Sequence, residues 1–247
     1  MEEMGRIAKI CRIKELLSLT FLMNSVFHVE HRVEQSVLRI LREGATQLGW
    51  HLPQEILDAF TLYFDELITW NKKVNLIGLQ DSTAIVVQLF LDSLAYGKAV
   101  FSESRPVHLL DVGSGAGFPG LPLRLFCPDL RVTLVEPNRK KVAFLHSLIG
   151  KLNVMDVAVL QTRIEEMSEA KEHCGRYSVV TVKALKSDQV LPYLPPLLRQ
   201  PGHVILSRVQ SPQKVEMWGF EITDEITYTL PFGYGARRLL RVSKKSP

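Results

Sequence analysis

The reading of this chain turns on one stretch, Val107-His108-Leu109-Leu110-Asp111-Val112-Gly113-Ser114-Gly115-Ala116-Gly117-Phe118-Pro119-Gly120. Its first part, Val107 to Asp111, is a short apolar run, the pattern of a buried parallel strand. Glycines then recur at 113, 115 and 117, and Pro119 opens a helix running to Phe126. Glycine permits positive φ and lets a ligand approach the backbone closely. The helix that follows offers unpaired N–H groups to anionic atoms. An acid, Glu136, ends the next apolar run, Val132-Thr133-Leu134-Val135-Glu136. There it can accept hydrogen bonds from two ribose hydroxyls. Asp111, Gly113, Ser114, Gly115, Gly117 and Glu136 are therefore the candidate residues of a nucleoside-containing cofactor site.

Two cofactors fit. Gly115-x-Gly117-x-x-Gly120 has the spacing of a dinucleotide loop. The fuller Asp111-x-Gly113-x-Gly115-x-Gly117, with an acid directly before the loop, suits S-adenosylmethionine better. That cofactor has no pyrophosphate to cradle and lays its amino-acid end on the glycines. A dinucleotide-dependent oxidoreductase stays open as the alternative.

Downstream the alternation continues. Helix Arg139 to Leu152, strand Val157 to Gln161 and strand Tyr177 to Val182 follow, then a proline-interrupted helical stretch, Ser187 to Leu198. Pro201-Gly202 turns into a fifth strand, His203 to Leu206, and strands Glu221 to Leu230 and Arg238 to Val242 form a hairpin around Gly233-Tyr234-Gly235. Upstream the period is helical: Val33 to Leu48, Pro53 to Asn71 and Thr83 to Tyr96. The expected fold is α/β: a Rossmann-like, doubly wound, mostly parallel sheet with a C-terminal antiparallel hairpin. Residues 105–247 form it, residues 31–104 cap it with helices, and residues 1–30 are an extension, helical or loose.

That extension places Arg6, Lys9, Arg12 and Lys14 before an apolar stretch, but no small-x-small cleavage site follows and the stretch is too short to span a bilayer. Of the 247 residues, 30 are basic and 26 acidic, a net charge of +4 that permits nucleic-acid binding without requiring it. Cys11, Cys127 and Cys174 are too scattered for a disulfide framework or a zinc site, and the histidines show no metal spacing. No metal is expected, and a cytoplasmic, membrane-free protein is.

Methyltransferases divide by the atom they methylate. Exocyclic amino groups call for an Asn-Pro-Pro-aromatic turn after the fourth strand, where this chain has Thr181-Val182-Lys183-Ala184-Leu185. Pyrimidine carbon-5 calls for a thiolate nucleophile, and neither Cys127 nor Cys174 follows the fourth or fifth strand. An atom already carrying a lone pair, such as guanine N7, has no proton to lose. It needs positioning and charge control rather than a dedicated base.

Beyond this point the chain resembles the ribosomal RNA small-subunit methyltransferase G family, also called glucose-inhibited division protein B. The resemblance runs from about Val33 to Lys245. It rests on Trp70-Asn71-Lys72-Lys73-Val74-Asn75-Leu76, Leu91-Asp92-Ser93-Leu94, Asp111 to Gly120, Lys140-Lys141-Val142-Ala143-Phe144-Leu145 and Arg163-Ile164-Glu165-Glu166. It implies a class I S-adenosylmethionine-dependent methyltransferase fold. The implied reaction is N7-methylation of one guanosine of 16S rRNA near the decoding region, by an enzyme expected to be a monomer. The implied partner is 16S rRNA or the small ribosomal subunit. By that match Gly113 and Phe118 line the cofactor, Glu136 holds its ribose, and Ile164 and Glu165 flank its adenine. Lys183 takes the place of a family arginine where cofactor and guanine meet, and its removal is expected to leave the fold intact. Gln88-Leu89 replaces an Arg-His pair, and Ser207-Arg208-Val209 stands where Lys-Gly is usual. These departures bear on target positioning, and a catalytically weak rRNA-binding member of the family is a further alternative.

The candidate RNA contacts are Arg139, Lys140 and Lys141 at the start of the second crossover helix, Arg208 after the fifth strand, and Arg237, Arg238 and Arg241 near the C-terminus. Each cluster could equally be a solvated face. Asn75 could bind the target, or, with Asn71, cap a turn beside a buried Trp70.

Overall fold

The computed structural model describes residues 35–101, 107–207 and 218–245. The extension over 1–30, Cys11 and Arg208 lie outside the described residues.

Seven strands form one sheet: β1 (His108–Val112), β2 (Arg131–Val135), β3 (Val157–Leu160), β4 (Tyr177–Val182), β5 (Leu198–Leu206), β6 (Phe220–Thr229) and β7 (Ala236–Lys244), in the order β3-β2-β1-β4-β5-β7-β6. The first five run parallel, and β7 runs antiparallel to both β5 and β6. The order reverses between β1 and β4, and in open sheets ligands bind outside the carboxyl ends of the strands at that switch point. Asp111 and Lys183 both stand there. Strand β1 lies inside the sheet, between β2 and β4, and buries apolar side chains on both faces: Leu109, Leu110 and Val112.

One face of the sheet is covered by α1 (35–47), α2 (Gln54–Val74), α3 (Ser82–Ile85), α4 (Asp92–Val100), α5 (Gly120–Phe126) and α6 (Arg139–Leu152). The N-terminal helices and the sheet share one core, in which Leu41, Phe60, Leu67 and Leu94 pack with Leu109, Val132 and Phe144. The opposite face buries Leu110, Val180, Val182 and Val204 against Leu191, Leu194, Leu197 and α7 (Ile164–Glu169).

Two expected helices differ. The stretch expected as one regular helix over Thr83 to Tyr96 carries a π segment, Val86–Leu91, between α3 and α4. The helix expected over Ser187 to Leu198 is two short 3₁₀ turns, Ser187–Gln189 and Leu191–Tyr193. Pro192, Pro195 and Pro196 remove the donors a longer helix needs. The strand placed after Pro201-Gly202 begins earlier, at Leu198. It runs through Pro201 because a register shift opposite Tyr177 and Val179 absorbs the residues that cannot join the ladder. The run Ser82–Val100 is long and apolar enough to cross a membrane by length and composition, yet 72% of that window is buried inside the fold.

Candidate active site

The glycine loop is held from three sides. The N–H groups of Gly113 and Ser114 both donate to the Val135 carbonyl, at 2.9 and 3.0 Å. Gly115 N donates to Glu136 Oε2 and Asn138 N to Glu136 Oε1, each at 2.9 Å. From the first face of the sheet, the Tyr63 hydroxyl donates to the Ala116 carbonyl and its ring stacks on Phe118 at 5.0 Å. Burial, with Asp111 adding to it, drives the Tyr63 phenol well above its ordinary value, so it stays a donor.

Asp111 is 0% exposed. Its Oδ2 accepts from Gly120 N and its Oδ1 from Thr181 Oγ1, both at 2.9 Å. Gly120 permits the first contact, since a Cβ there would stand 2.9 Å from Asp111 Oδ2. Burial raises the Asp111 carboxyl from 3.8 to about 6, against the pull of Gly120, Thr181 and Lys183.

Beside the loop lies a cleft of about 330 Å³, lined by Gly113, Glu136, Lys141, Ile164, Glu165 and Leu185 among others. Four of the expected cofactor residues thus meet in one cavity, and Lys141, expected toward RNA, joins them. Gly113 sits at φ +67°, and a Cβ on it would stand 2.5 Å from Leu185 Cδ1. The residues present fit a nucleoside with a polar tail. Glu136 keeps lone pairs after its two backbone bonds, and the buried Ser114 hydroxyl has no partner among the described residues.

Asp111, Gly117 and Phe118, expected at the cofactor, are placed differently. All three face inward: Asp111 is the clamp described above, and Gly117, at φ +96°, leaves the space that the Tyr63 hydroxyl and Leu145 fill. They shape the loop from behind.

A second cavity, of about 470 Å³, opens past Lys183 and Ala184. Lys183 Nζ lies 2.7 Å from Asp92 Oδ2 and donates to the Gln88 carbonyl at 3.2 Å. The Tyr228 hydroxyl donates to Asp92 Oδ1 at 2.6 Å. Burial, then the Asp92 charge, raises the Tyr228 phenol far above its ordinary value. Gln88 lies in the π segment, a widened turn of the kind found at functional sites. Ser207, Arg237 and Arg238 form the rim. Asp92 and Tyr228 were missed from sequence, although Asp92 stood in a recognised run.

The basic candidates divide. Arg139 and Lys140 are exposed at the start of α6, and Arg238 pairs with Glu225 at 3.5 Å, both half exposed. Arg241 is different: it is half-buried and its Nη2 donates to the Ala99 carbonyl at 2.7 Å, tying β7 to the end of α4. Asn75 ends α2 in the left-handed conformation at φ 41°, and Asn71 Oδ1 accepts from Ile77 N at 2.9 Å. Trp70 meets Phe144 edge-on at 5.7 Å. These are turn and packing roles. Cys127 is buried and Cys174 exposed. Among the described residues no group of three His, Cys, Asp or Glu could hold a metal ion.

A dinucleotide-binding sheet has the order 3-2-1-4-5-6, whereas here the last strand is antiparallel and inserted between β5 and β6. A solved S-adenosylmethionine-dependent methyltransferase from Aquifex aeolicus superposes with a TM-score of 0.51 at 16% identity, over 68% of this chain and 96% of that one. The fold is that of the class I methyltransferases. Two proteins described as ribosomal RNA small subunit methyltransferase G are similar over most of their length. That of Roseiflexus sp. (strain RS-1) is 37% identical over 217 residues, 84% of this chain and 92% of the relative. That of Acetivibrio thermocellus is 31% identical over 219 residues, 85% and 90% respectively. Residues 56–219 match the model of the rRNA small subunit methyltransferase G family, and the chain belongs to that family.

Proposed function

We propose that this chain transfers a methyl group from S-adenosylmethionine to N7 of a guanine in 16S rRNA, presented as free RNA or in the small ribosomal subunit. It works as a cytoplasmic monomer. The observation that carries this reading is the adjacency of the two cavities. Consecutive residues after β4 line both: Leu185 a nucleoside cleft built on Gly113 and Glu136, Lys183 and Ala184 a cavity that also carries Arg237 and Arg238. Bound in the cleft, S-adenosylmethionine supplies an electrophilic methyl group. Glu136 accepts the ribose hydroxyls, Ile164 and Glu165 flank the base, and Leu185 helps to exclude water. Lys183, fixed by Asp92, offers a point charge to the guanine or a neighbouring phosphate. No side chain is required to take a proton. The test is transfer of labelled methyl to small subunits lacking the modification, followed by mapping of the product. Labelling of a base atom other than N7, or none, overturns the reading.

Cofactor binding gives a separate check. Gly113→Ala strains a positive-φ position by on the order of 1–3 kcal/mol and pushes on Leu185. Glu136→Ala costs about 1–3 kcal/mol of affinity through lost hydrogen bonds to a charged acceptor. Both lower S-adenosylhomocysteine affinity in calorimetry, while NAD and NADP do not bind the parent. Parent-like dissociation constants in both variants would remove the site assignment.

For RNA, the informative variant is Arg237→Gln with Arg238→Gln, leaving Arg241 in its packing role. It weakens rRNA binding and lowers the slope of log affinity against log salt by about two. An unchanged slope would make this rim an ordinary solvated face.

A further inference from the structure

Donors and acceptors are unevenly divided in the cavity past Lys183. An ammonium has three donors. That of Lys183 meets Asp92 Oδ2 at 2.7 Å and the Gln88 carbonyl at 3.2 Å, which leaves the third for an occupant. Asp92 is the one carboxylate among the lining residues, and its other oxygen already accepts from the buried Tyr228 hydroxyl at 2.6 Å. Arg237 and Arg238 carry donors only. The side-chain acceptors left for an occupant are the Gln88 carboxamide oxygen and the Ser207 hydroxyl.

Of these two, Gln88 is the better placed. It is half-buried and its main chain lies within the π segment, so the part it exposes is its side chain. No described residue takes up the carboxamide. Its root is fixed beside Lys183, because the main-chain carbonyl of Gln88 holds that ammonium. The carboxamide and the ammonium therefore act on the same occupant. Ser207, just past β5, has only a one-carbon arm.

A guanine with N7 toward the cofactor cleft presents O6, an acceptor, beside N7, and then two donors, N1–H and the 2-amino group. Adenine presents an amino group where guanine has O6, which would set donor against donor at Lys183. We infer that Gln88 determines base specificity: its carboxamide oxygen accepts from the N1–H and 2-amino groups of the target guanine while the third Lys183 donor holds O6. The assignment rests on the N7-methylation proposed above and adds to it the group that reads the base. A buried edge of this kind rejects a base that leaves the acceptor unpaired.

The experiment uses small subunits reconstituted with 16S rRNA carrying guanosine or inosine at the mapped target. Inosine keeps N7, O6 and N1–H and lacks the 2-amino group. Single-turnover transfer is measured with the full chain at saturating cofactor, and the guanosine-to-inosine rate ratio is compared among parent, Gln88→Met and Ser207→Ala. Intrinsic differences in N7 reactivity cancel in that comparison. The ratio of the parent exceeds that of Gln88→Met by about three- to tenfold, the weight of one hydrogen bond, and Ser207→Ala keeps the parent ratio. A side chain that only packed would slow both substrates alike. Gln88→Ala repeats the comparison should methionine disturb the π segment, and urea midpoints show that each variant is folded. S-adenosylhomocysteine affinity is the same in all, since Gln88 lines the cavity beyond the cleft. Equal ratios in the parent and the Gln88 variants, or a ratio lost only in Ser207→Ala, overturn the role of Gln88 while N7 transfer persists. A parent that does not methylate guanosine at N7 removes the proposed function itself, and this role with it.

Discussion

Lys183→Ala loses methyl transfer and also about 3–5 kcal/mol of stability, the usual cost of stripping a buried charge of its partner. From sequence, Lys183 was expected to be removable without harm to the fold. The structure corrects this. The Lys183 and Asp92 side chains are 16% and 9% exposed and 2.7 Å apart, and without the ammonium Asp92 keeps, among the described residues, the Tyr228 hydroxyl as its side-chain partner. Activity of the alanine variant alone therefore cannot separate chemistry from folding, and two milder variants do so. Lys183→Arg keeps the charge and adds a planar fork, so it retains or raises the rate. Asp92→Asn keeps the shape but frees Lys183 from its charged anchor. It slows transfer while leaving cofactor affinity alone, because Lys183 and Asp92 line the cavity beyond the cleft. Single-turnover rates at saturating cofactor, beside urea midpoints, decide. Full activity in Lys183→Ala, or equal rates in Asp92→Asn and the parent, would sink this account of target positioning.

What the sequence disclosed follows from what periodicity and residue type can encode. β1 and the loop were legible because a buried parallel strand and positive-φ glycines each demand particular residues in a short span, and Glu136 stood out as the acid that ends the next strand, where it accepts from Gly115 N. Helix α6 was placed residue for residue, since Asn138 caps it and accepts from the N–H groups of Lys140 and Lys141. Partners distant in the chain were not legible. Nothing near Asp111 announces that Thr181, seventy positions on, turns its carboxylate away from the cleft. Gly113 and Gly117 look alike in sequence, yet one faces the cleft and the other Tyr63. Arg241 was grouped with Arg237 and Arg238 by charge alone. Strand alternation gave no signal against that grouping: Arg237 stands on the same side of β7 as Arg241, and both sides carry a buried leucine, Leu239 and Leu240. The π segment left no trace, because the apolar stripe of Val86–Leu91 reads as ordinary α-helix.

Asp111→Asn and Asp111→Ala have opposite consequences. In Asp111→Ala the Gly120 N–H loses its acceptor, and the fully buried Thr181 hydroxyl keeps only the Leu110 carbonyl at 3.4 Å. The unsatisfied N–H costs about 1–3 kcal/mol, and the loop, no longer clamped from behind, loses most of its cofactor affinity. Asn fits the same site. Its carbonyl accepts from Gly120, its amide donates to Thr181 Oγ1, and the Thr181 hydroxyl turns to the Leu110 carbonyl, 3.4 Å away. The pH dependence has a definite sign. The folded carboxyl titrates at about 6 against 3.8 in the open chain. Between those values the folded state holds the extra proton, so stability from this group is full below about 4 and is lost as pH rises through about 6. A shift of about two units corresponds to roughly 3 kcal/mol. Asp111→Asn escapes that loss. It is at least as stable as the parent at pH 8, and its advantage shrinks by about that amount at pH 4, all other titrating groups being common to both chains. Urea unfolding of parent and variant at the two pH values measures the difference, and a difference independent of pH would refute the buried-carboxylate account. Cofactor affinity supplies the second readout. A clamp that acts only from behind the loop leaves S-adenosylhomocysteine binding of Asp111→Asn within a few-fold of the parent, whereas a hundredfold loss would put the carboxylate itself in contact with the cofactor.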